Sequence, residues 1–138
     1  MTRGAPLRLA MVGGGPGSFI GPVHKMAAEL DGAIELTAGA LRRDAAKNAQ
    51  AAQAWGVAPE RAYGDYRQML AAEAAREDGA QLVAVVTPNH LHFEVAAAAL
   101  AAGMHVISDK LATLNLAQAQ ELAGVVAGLE TSPAIMAP

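Results

Sequence analysis

Short apolar runs alternate with amphipathic segments along the whole chain, and this alternation predicts strands followed by helices. The runs are rich in Val, Leu and Ala and are bounded by glycine or turn residues, as buried parallel strands are. The segments between them repeat apolar residues near helical spacing. The predicted strands are Leu7–Val12, Ile34–Ala38, a brief one at Ala62–Tyr63, Leu82–Val86 and Met104–Ile107. The predicted helices are Ile20–Leu30, Asp44–Trp55 with Asp44 as its cap, Asp65–Ala75, one that follows Thr87-Pro88-Asn89 and runs to Ala102, and Leu116–Ala127.

This order of elements predicts the α/β class. Strands that alternate with helices imply right-handed crossovers and a Rossmann-type doubly wound parallel sheet. We predict the strand order 3-2-1-4-5, with at most a stub of a sixth strand at Ala134–Met136. In that order a binding crevice lies at the carboxyl ends of the first and fourth predicted strands.

Composition narrows the classes of partner. The 138 residues are 53% hydrophobic, 4% aromatic and 17% charged, which suits one core built from small and branched side chains. The net charge is -3 and the basic residues are scattered, so we expect no nucleic-acid partner and no membrane partner. Without cysteine the chain forms no disulfide and no thiolate site. The N-terminus does not resemble a signal peptide and the apolar runs are short, so we expect a cytoplasmic protein.

A glycine-rich loop joins the first predicted strand to the first predicted helix. Residues 13–18 read Gly-Gly-Gly-Pro-Gly-Ser, so Gly13 and Gly15 match the G-x-G-x-x-G motif and Ser18 takes the third glycine's place. The first two glycines allow a tight turn and a close approach to a pyrophosphate, and the third position needs a small side chain. A turn without a ligand is the alternative, but the position before a helix N-terminus favours a dinucleotide. Pro16, in the same loop, is also assigned to cofactor binding.

The end of the second predicted strand bears on which dinucleotide binds. NAD-binding domains place an acid there for the ribose 2′-hydroxyl, whereas an arginine accommodates the 2′-phosphate of NADP. This chain has Arg42 and Arg43 at that point, and its first acid, Asp44, is already assigned as a helix cap. Two guanidinium groups can bind one phosphate, so we predict NADP, with NAD as the other possibility. The alternative is that both arginines are solvated loop charges.

Two further motifs follow the fourth and fifth predicted strands, and together with the loop they carry a resemblance. The motifs are, in chain order, the glycine loop, Pro22-Val23-His24, Thr87-Pro88-Asn89 with His92, and residues 103–106 (Gly-Met-His-Val) leading into Asp109-Lys110. In these the chain resembles the glucose–fructose oxidoreductase, inositol dehydrogenase and MocA family (Gfo/Idh/MocA). The resemblance runs from Leu9 to about Ala127.

The resemblance implies roles for the residues of those motifs. Lys110 stands at the family's lysine, which positions the substrate and assists proton transfer at the hydroxyl that is oxidised. Asp109 stands at the acid near the nicotinamide ribose. Residues 87–89 inherit a place along the cofactor, as does His92. By spacing alone, a surface lysine is the alternative for Lys110. His90 and His92 lie on different faces of a helix and have no third ligand in view, so we predict no metal site.

The chain departs from the family's Glu-Lys-Pro signature at two positions. Asp109 is one methylene shorter than glutamate. Leu111 replaces a proline whose peptide bond is often cis, and a non-proline cis bond costs about 2.5–4 kcal/mol. We therefore expect Leu111 to be trans and to aim Lys110 differently.

Length sets the expected domain organisation. We expect residues 1–138 to be one NAD(P)-binding Rossmann domain, with the family's C-terminal substrate domain absent. An uncovered sheet edge and domain surface would then lead to self-association as a homo-oligomer. A sugar or polyol substrate would bind only if a substrate domain were supplied.

Two functions remain open at this stage. In the first, the chain is the cofactor domain of an NAD(P)-dependent oxidoreductase that transfers hydride to or from a sugar or cyclitol hydroxyl or ketone. The chain alone would then bind cofactor without full activity. In the second, it is a non-catalytic dinucleotide-binding or assembly subunit.

Overall fold

The computed structural model of the chain describes residues 5–87, 89–108, 116–127 and 135–136. Within them the strands are β1 (Leu7–Val12), β2 (Ile34–Ala40), β3 (Leu82–Val85), β4 (His105–Ser108) and β5 (Ile135–Met136). The helices are α1 (Gly21–Glu29), α2 (Ala45–Ala54), α3 (Tyr66–Ala75), α4 (Asn89–Ala101) and α5 (Leu116–Ala127). A single 3-10 turn, Pro59–Arg61, lies between α2 and α3.

The strands form one parallel sheet in the order β2-β1-β3-β4-β5. A Rossmann-like α/β sheet is therefore confirmed. The strands predicted as first, second, fourth and fifth are β1, β2, β3 and β4, and β5 occupies the place of the predicted stub.

The predicted third strand at Ala62–Tyr63 is wrong, so the order 3-2-1-4-5 is not confirmed. Ala62 makes one isolated parallel bridge to Gly39, and the Tyr63 N–H donates to the Gly39 carbonyl at 2.8 Å. The 3-10 turn ends at Arg61 and the cap of α3 is Asp65, so too few residues lie between them to extend the ladder.

The core forms two clusters, one on each face of the sheet. Alternate residues of β1 divide between them, because successive side chains of a strand point to opposite faces. Ala10 and Val12 belong to the cluster that contains residues of α3, α4 and α5. Leu9 and Met11 belong to the cluster that contains residues of α2. The sheet is thus covered on both faces, as a parallel sheet requires.

Local signals set the helix boundaries. The Asp44 side chain accepts from the Lys47 N–H at 2.9 Å, which confirms the predicted cap of α2. Asp65 caps α3 in the same way, through the Arg67 N–H at 2.7 Å. Gly103, with φ of 84°, follows the end of α4 and allows the chain to turn into β4.

A buried polar cluster ties the 3-10 turn and α3 to the start of β3. Glu73 is 1% exposed, and both of its carboxylate oxygens accept hydrogen bonds from the Arg61 guanidinium. The Tyr63 hydroxyl also donates to Glu73, at 2.7 Å, and the Ala80 N–H donates at 3.0 Å. Burial and then the Glu73 carboxylate raise the pKa of Tyr63 to about 12. The charge of Glu73 is therefore compensated in the interior.

In the part of the chain that the structure describes, no helix combines the length and the apolar character needed to cross a bilayer.

Candidate functional site

The glycine loop lies where the carboxyl ends of β1 and β3 meet the start of α1. Gly13 and Gly14 have φ of 75° and 72°, which confirms the predicted tight turn. A Cβ on Gly14 would lie 2.9 Å from the Val86 Cβ and 3.0 Å from the Gly21 Cα. A Cβ on Gly21 would lie 1.5 Å from the Gly14 carbonyl oxygen. Backbone therefore packs directly on backbone, and neither position accommodates a side chain.

The first turn of α1 faces the same loop. Its N-cap residue, Ile20, makes no side-chain cap bond, and Pro22 occupies the first turn. The positive end of a helix and its N–H groups bind anions. The loop and the helix start therefore form a cradle of the kind that holds a pyrophosphate.

Two buried hydroxyl groups in this cradle have no hydrogen-bond partner among the described residues. They are the Ser18 Oγ and the Thr87 Oγ1, and both residues line the cleft above the sheet edge. A buried hydroxyl without a partner is costly, so such groups in a cleft fit a polar ligand that completes their bonding. This chemistry fits a dinucleotide.

The two arginines after β2 differ in their surroundings. The Arg42 Nη2 donates to the Pro16 carbonyl at 2.5 Å, so this side chain reaches from the end of β2 to the glycine loop. Arg43 is exposed, and both arginines line the cleft. Gly15 is buried beneath Arg42, since its added Cβ would lie 3.3 Å from the Arg42 Nε.

Asn48 is a residue of this region that sequence reasoning missed. It is 2% exposed on α2, and its Oδ1 accepts from the backbone N–H groups of Leu41, at 2.9 Å, and Arg42, at 3.2 Å. Its Nδ2 donates to the Tyr63 carbonyl at 2.7 Å. The signal was present: Asn48 is spaced with Ala51 and Ala52 on the buried face of α2.

His92 lies behind Thr87 and not on the cleft wall. The ring is 1% exposed, and its Nε2 is 2.6 Å from the Thr87 carbonyl oxygen. The Ser108 Oγ, at the end of β4, is 3.4 Å from the His92 Nδ1. His92 therefore links the carboxyl ends of β3 and β4 beneath the cleft.

The cleft has a volume of about 1330 Å³ and extends from the glycine loop to the N-terminal turns of α3 and α4. Its far wall contains Tyr66, Arg67 and Glu94, of which Arg67 and Glu94 form an ion pair. Burial and then the adjoining Glu94 carboxylate raise the pKa of Tyr66 to about 12. This wall was not predicted.

Several predicted site residues fall beyond what the structure describes. Pro88, Asp109 and Lys110 lie outside the described residues, as does Leu111. Asn89 is the first residue of α4. Of the other predicted residues, the cleft brings together Gly13, Ser18, Arg42, Arg43 and Thr87, with Gly15, Pro16 and His92 adjoining them. Across the described ranges, no three His, Asp or Glu side chains gather into a possible metal site.

Comparison with known proteins identifies the chain's relatives. Residues 7–131 match the Gfo/Idh/MocA model, described as an oxidoreductase family with an NAD-binding Rossmann fold. An uncharacterised oxidoreductase of Bacillus subtilis, YfiI, is 45% identical over 118 residues, which are 85% of this chain and 30% of that protein. The chain thus spans about a third of that relative's length.

Solved structures agree with this match. An inositol dehydrogenase homologue from Azotobacter vinelandii, in complex with NAD+, is 43% identical, with a TM-score of 0.84 over 87% of this chain and 31% of that one. The same homologue with NADH and myo-inositol gives a TM-score of 0.85 over 88% of this chain and 32% of that one. The family match covers well over half of the chain, and the chain therefore belongs to the Gfo/Idh/MocA family of NAD-binding, Rossmann-fold oxidoreductases.

Proposed function

We propose that this chain is the cofactor-binding part of an NADP-dependent oxidoreductase that acts on a hydroxyl or ketone carbon of a sugar or cyclitol. The observation that carries the proposal is the glycine-loop cleft, where the Ser18 and Thr87 hydroxyl groups are buried without a partner among the described residues. A similar protein that binds NADH and myo-inositol supports this substrate class.

The choice of NADP rests on the end of β2. Arg42 and Arg43 line the cleft there, and Asp44 is occupied as the cap of α2. Arginine guanidinium groups suit a 2′-phosphate, and the absence of a carboxylate between β2 and Asp44 removes the usual partner of a 2′-hydroxyl. NAD is the alternative, because two similar structures hold NAD+ or NADH.

The proposed roles of the chain's residues follow from the cleft. The cofactor, when bound, accepts or supplies the hydride. The loop of Gly13, Gly15, Pro16 and Ser18 binds its phosphates with the start of α1. Residues 87–89 are assigned to contacts with the cofactor, and His92 holds the Thr87 backbone through its carbonyl.

The chemical step is assigned to the motif after β4. Lys110 would orient the substrate hydroxyl and, as the neutral amine, take its proton when the carbon that bears this hydroxyl is oxidised. Asp109 binds near the nicotinamide ribose. Substrate contacts come from a substrate domain, so the chain alone binds dinucleotide without full activity. We also propose that the chain forms a homo-oligomer and works in the cytoplasm.

A second candidate is a non-catalytic dinucleotide-binding or assembly subunit. Leu111 favours it, because a leucine follows Lys110 where the family has the proline that fixes the lysine's backbone.

Two measurements test these proposals. Fluorescence titration with NADPH and NADH should show saturable binding, with NADPH bound more tightly. A panel of sugars and polyols is then assayed with the wild type and with Leu111→Pro. The oxidoreductase predicts low but measurable turnover, which appears or rises with Leu111→Pro, whereas binding with no measurable turnover in either protein supports the subunit. No binding of either dinucleotide contradicts both candidates.

A further inference from the structure

Asn48 joins two backbone segments at the margin of the cleft. Its three hydrogen bonds run to the N–H groups of Leu41 and Arg42 and to the carbonyl of Tyr63. An N–H group only donates and a carbonyl only accepts, so one orientation of the amide satisfies all three bonds. The side chain thereby fixes the backbone that follows β2 against the chain that leads into α3.

The segment held by Asn48 also reaches the glycine loop. Arg42 donates to the Pro16 carbonyl, and a Cβ on Gly15 would lie 3.2 Å from the Leu41 Cβ. Hydrogen bonds therefore run from Tyr63 through Asn48 and the Arg42 residue to the loop.

Arg43 is the next residue along the chain. It is exposed at the cleft and makes no hydrogen bond or ion pair within the described part of the chain. The Arg42 guanidinium is anchored to the Pro16 carbonyl through its Nη2 and keeps other N–H groups, whereas Arg43 has no such anchor, so the place of Arg43 at the cleft depends on its backbone.

We propose that Asn48 is a positioning residue that sets the NADP preference of the cleft, since it fixes the backbone that presents Arg43 to the 2′-phosphate. This proposal rests on the proposed binding of NADP. It assigns different roles to the two arginines: Arg42 holds the glycine loop through the Pro16 carbonyl, and Arg43 binds the 2′-phosphate.

The experiment measures the Kd of NADPH and of NADH by fluorescence titration for the wild type, Asn48→Ala, Arg43→Ala and the double variant. Loss of one charged contact weakens binding about tenfold, so each single variant should raise the NADPH Kd by about that factor and the NADH Kd by less than about threefold. The double variant should change the ratio of the two Kd values no further than Arg43→Ala does, because Asn48 acts through Arg43.

Leu122→Val is the control for a merely structural effect. Leu122 is buried on α5, in the core cluster on the sheet face opposite to α2. The substitution should lower the Tm without changing the ratio of the two Kd values. If Asn48→Ala does not fold, Asn48→Ser gives the same comparison, because a single hydroxyl cannot span the three bonds.

The outcomes distinguish the two proposals. If Arg43→Ala lowers the NADPH preference and Asn48→Ala does not, or if Asn48→Ala weakens both dinucleotides equally, the role of Asn48 is overturned while NADP binding stands. If the wild type prefers NADPH but Arg43→Ala leaves that preference unchanged, the roles of Arg43 and Asn48 are overturned while NADP binding stands. If the wild type binds NADPH no more tightly than NADH, the NADP assignment itself is overturned, and the role of Asn48 with it.

Discussion

The Nε2 atom of His92 lies 2.6 Å from the carbonyl oxygen of Thr87, so a buried ring holds the backbone of a residue whose side chain lines the cleft. A carbonyl only accepts, and Nε2 is therefore the protonated ring nitrogen in this bond. In the neutral ring the Nδ1 then faces the Ser108 hydroxyl as an acceptor, at 3.4 Å. The second contact is long and correspondingly weak.

Replacing the ring should affect both stability and binding. His92→Phe keeps an aromatic ring but leaves the Thr87 carbonyl without this donor, so we expect a loss of about 1–3 kcal/mol in the free energy of unfolding. NADPH binding should also weaken, because Thr87 is no longer held. Urea unfolding and NADPH fluorescence measure the two effects. Ser108→Ala is the matched control and should cost less than about 1 kcal/mol. Equal losses from both variants would contradict this account.

Gly14→Ala should disrupt the cleft itself. The new Cβ meets the Val86 side chain at 2.9 Å, and φ of 72° strains any residue with a Cβ, so stability should fall by about 1–3 kcal/mol and dinucleotide binding should be lost.

Gly103→Ala is the comparison for that variant. Gly103 has φ of 84°, but nothing lies within 4 Å of an added Cβ, so backbone strain acts there without a steric clash. Thermal unfolding should show a Tm decrease for both variants, whereas only Gly14→Ala should abolish binding. Lost binding in Gly103→Ala would mean that strain alone accounts for the effect.

The two Arg–Glu pairs should differ sharply in their contribution to stability. Glu73→Ala leaves the buried Arg61 charge with only the exposed Asp78 carboxylate, 3.8 Å away, so we expect a loss of about 3–5 kcal/mol. Glu94→Ala breaks the pair with Arg67. The side chains of Glu94 and Arg67 are 46% and 63% exposed, so this loss should be less than about 1 kcal/mol. Urea unfolding of both variants decides the point. Similar losses would show that burial does not determine the value of these pairs.

Tyrosine ionisation gives a pH-dependent prediction. The chain has two tyrosines, Tyr63 and Tyr66, and the pKa of each is raised from 10.0 to about 12. A raised pKa means that the folded state holds the proton more tightly. The resulting stabilisation is fully present below pH 10 and is lost as the pH rises towards about 12.

Ultraviolet absorbance of the phenolate measures this directly. In the native protein we expect a midpoint near 12, and in denaturant a midpoint near 10. Tyr63→Phe leaves Tyr66 as the single reporter and separates the two groups. A native midpoint near 10 would show that neither hydroxyl is protected by the fold.

The elements that the sequence predicted correctly are those with local signals. The apolar runs of β1 and β3 and the cap at Asp44 depend on neighbours a few residues away, so pattern alone locates them. The prediction of a strand at Ala62–Tyr63 was wrong because a 3-10 turn ends just before these residues and the cap of α3 follows soon after them. Whether an extended pair becomes a strand depends on its flanks as well as its own composition.

The sequence predicted those parts of the site that follow from a short motif or from the position after a strand. The glycine loop and the arginines after β2 follow from motif and position, and the cleft brings them together. Asn48 and the Tyr66–Arg67–Glu94 wall were missed because their meaning depends on contacts between elements distant in sequence. A polar residue among alanines on a helix looks solvent-exposed until the partner for its amide is known.

The contact between Gly14 and Gly21 sets where α1 begins relative to the sheet. Because backbone meets backbone at these two positions, residues 15–20 form a closed loop whose ends are pinned without a side chain to adjust. A side chain at either end would push the start of α1 away from the edge of the sheet. The two glycines therefore set the distance from the edge of the sheet to the first turn of the helix, and any loop grafted into this chain would have to keep glycine at both positions.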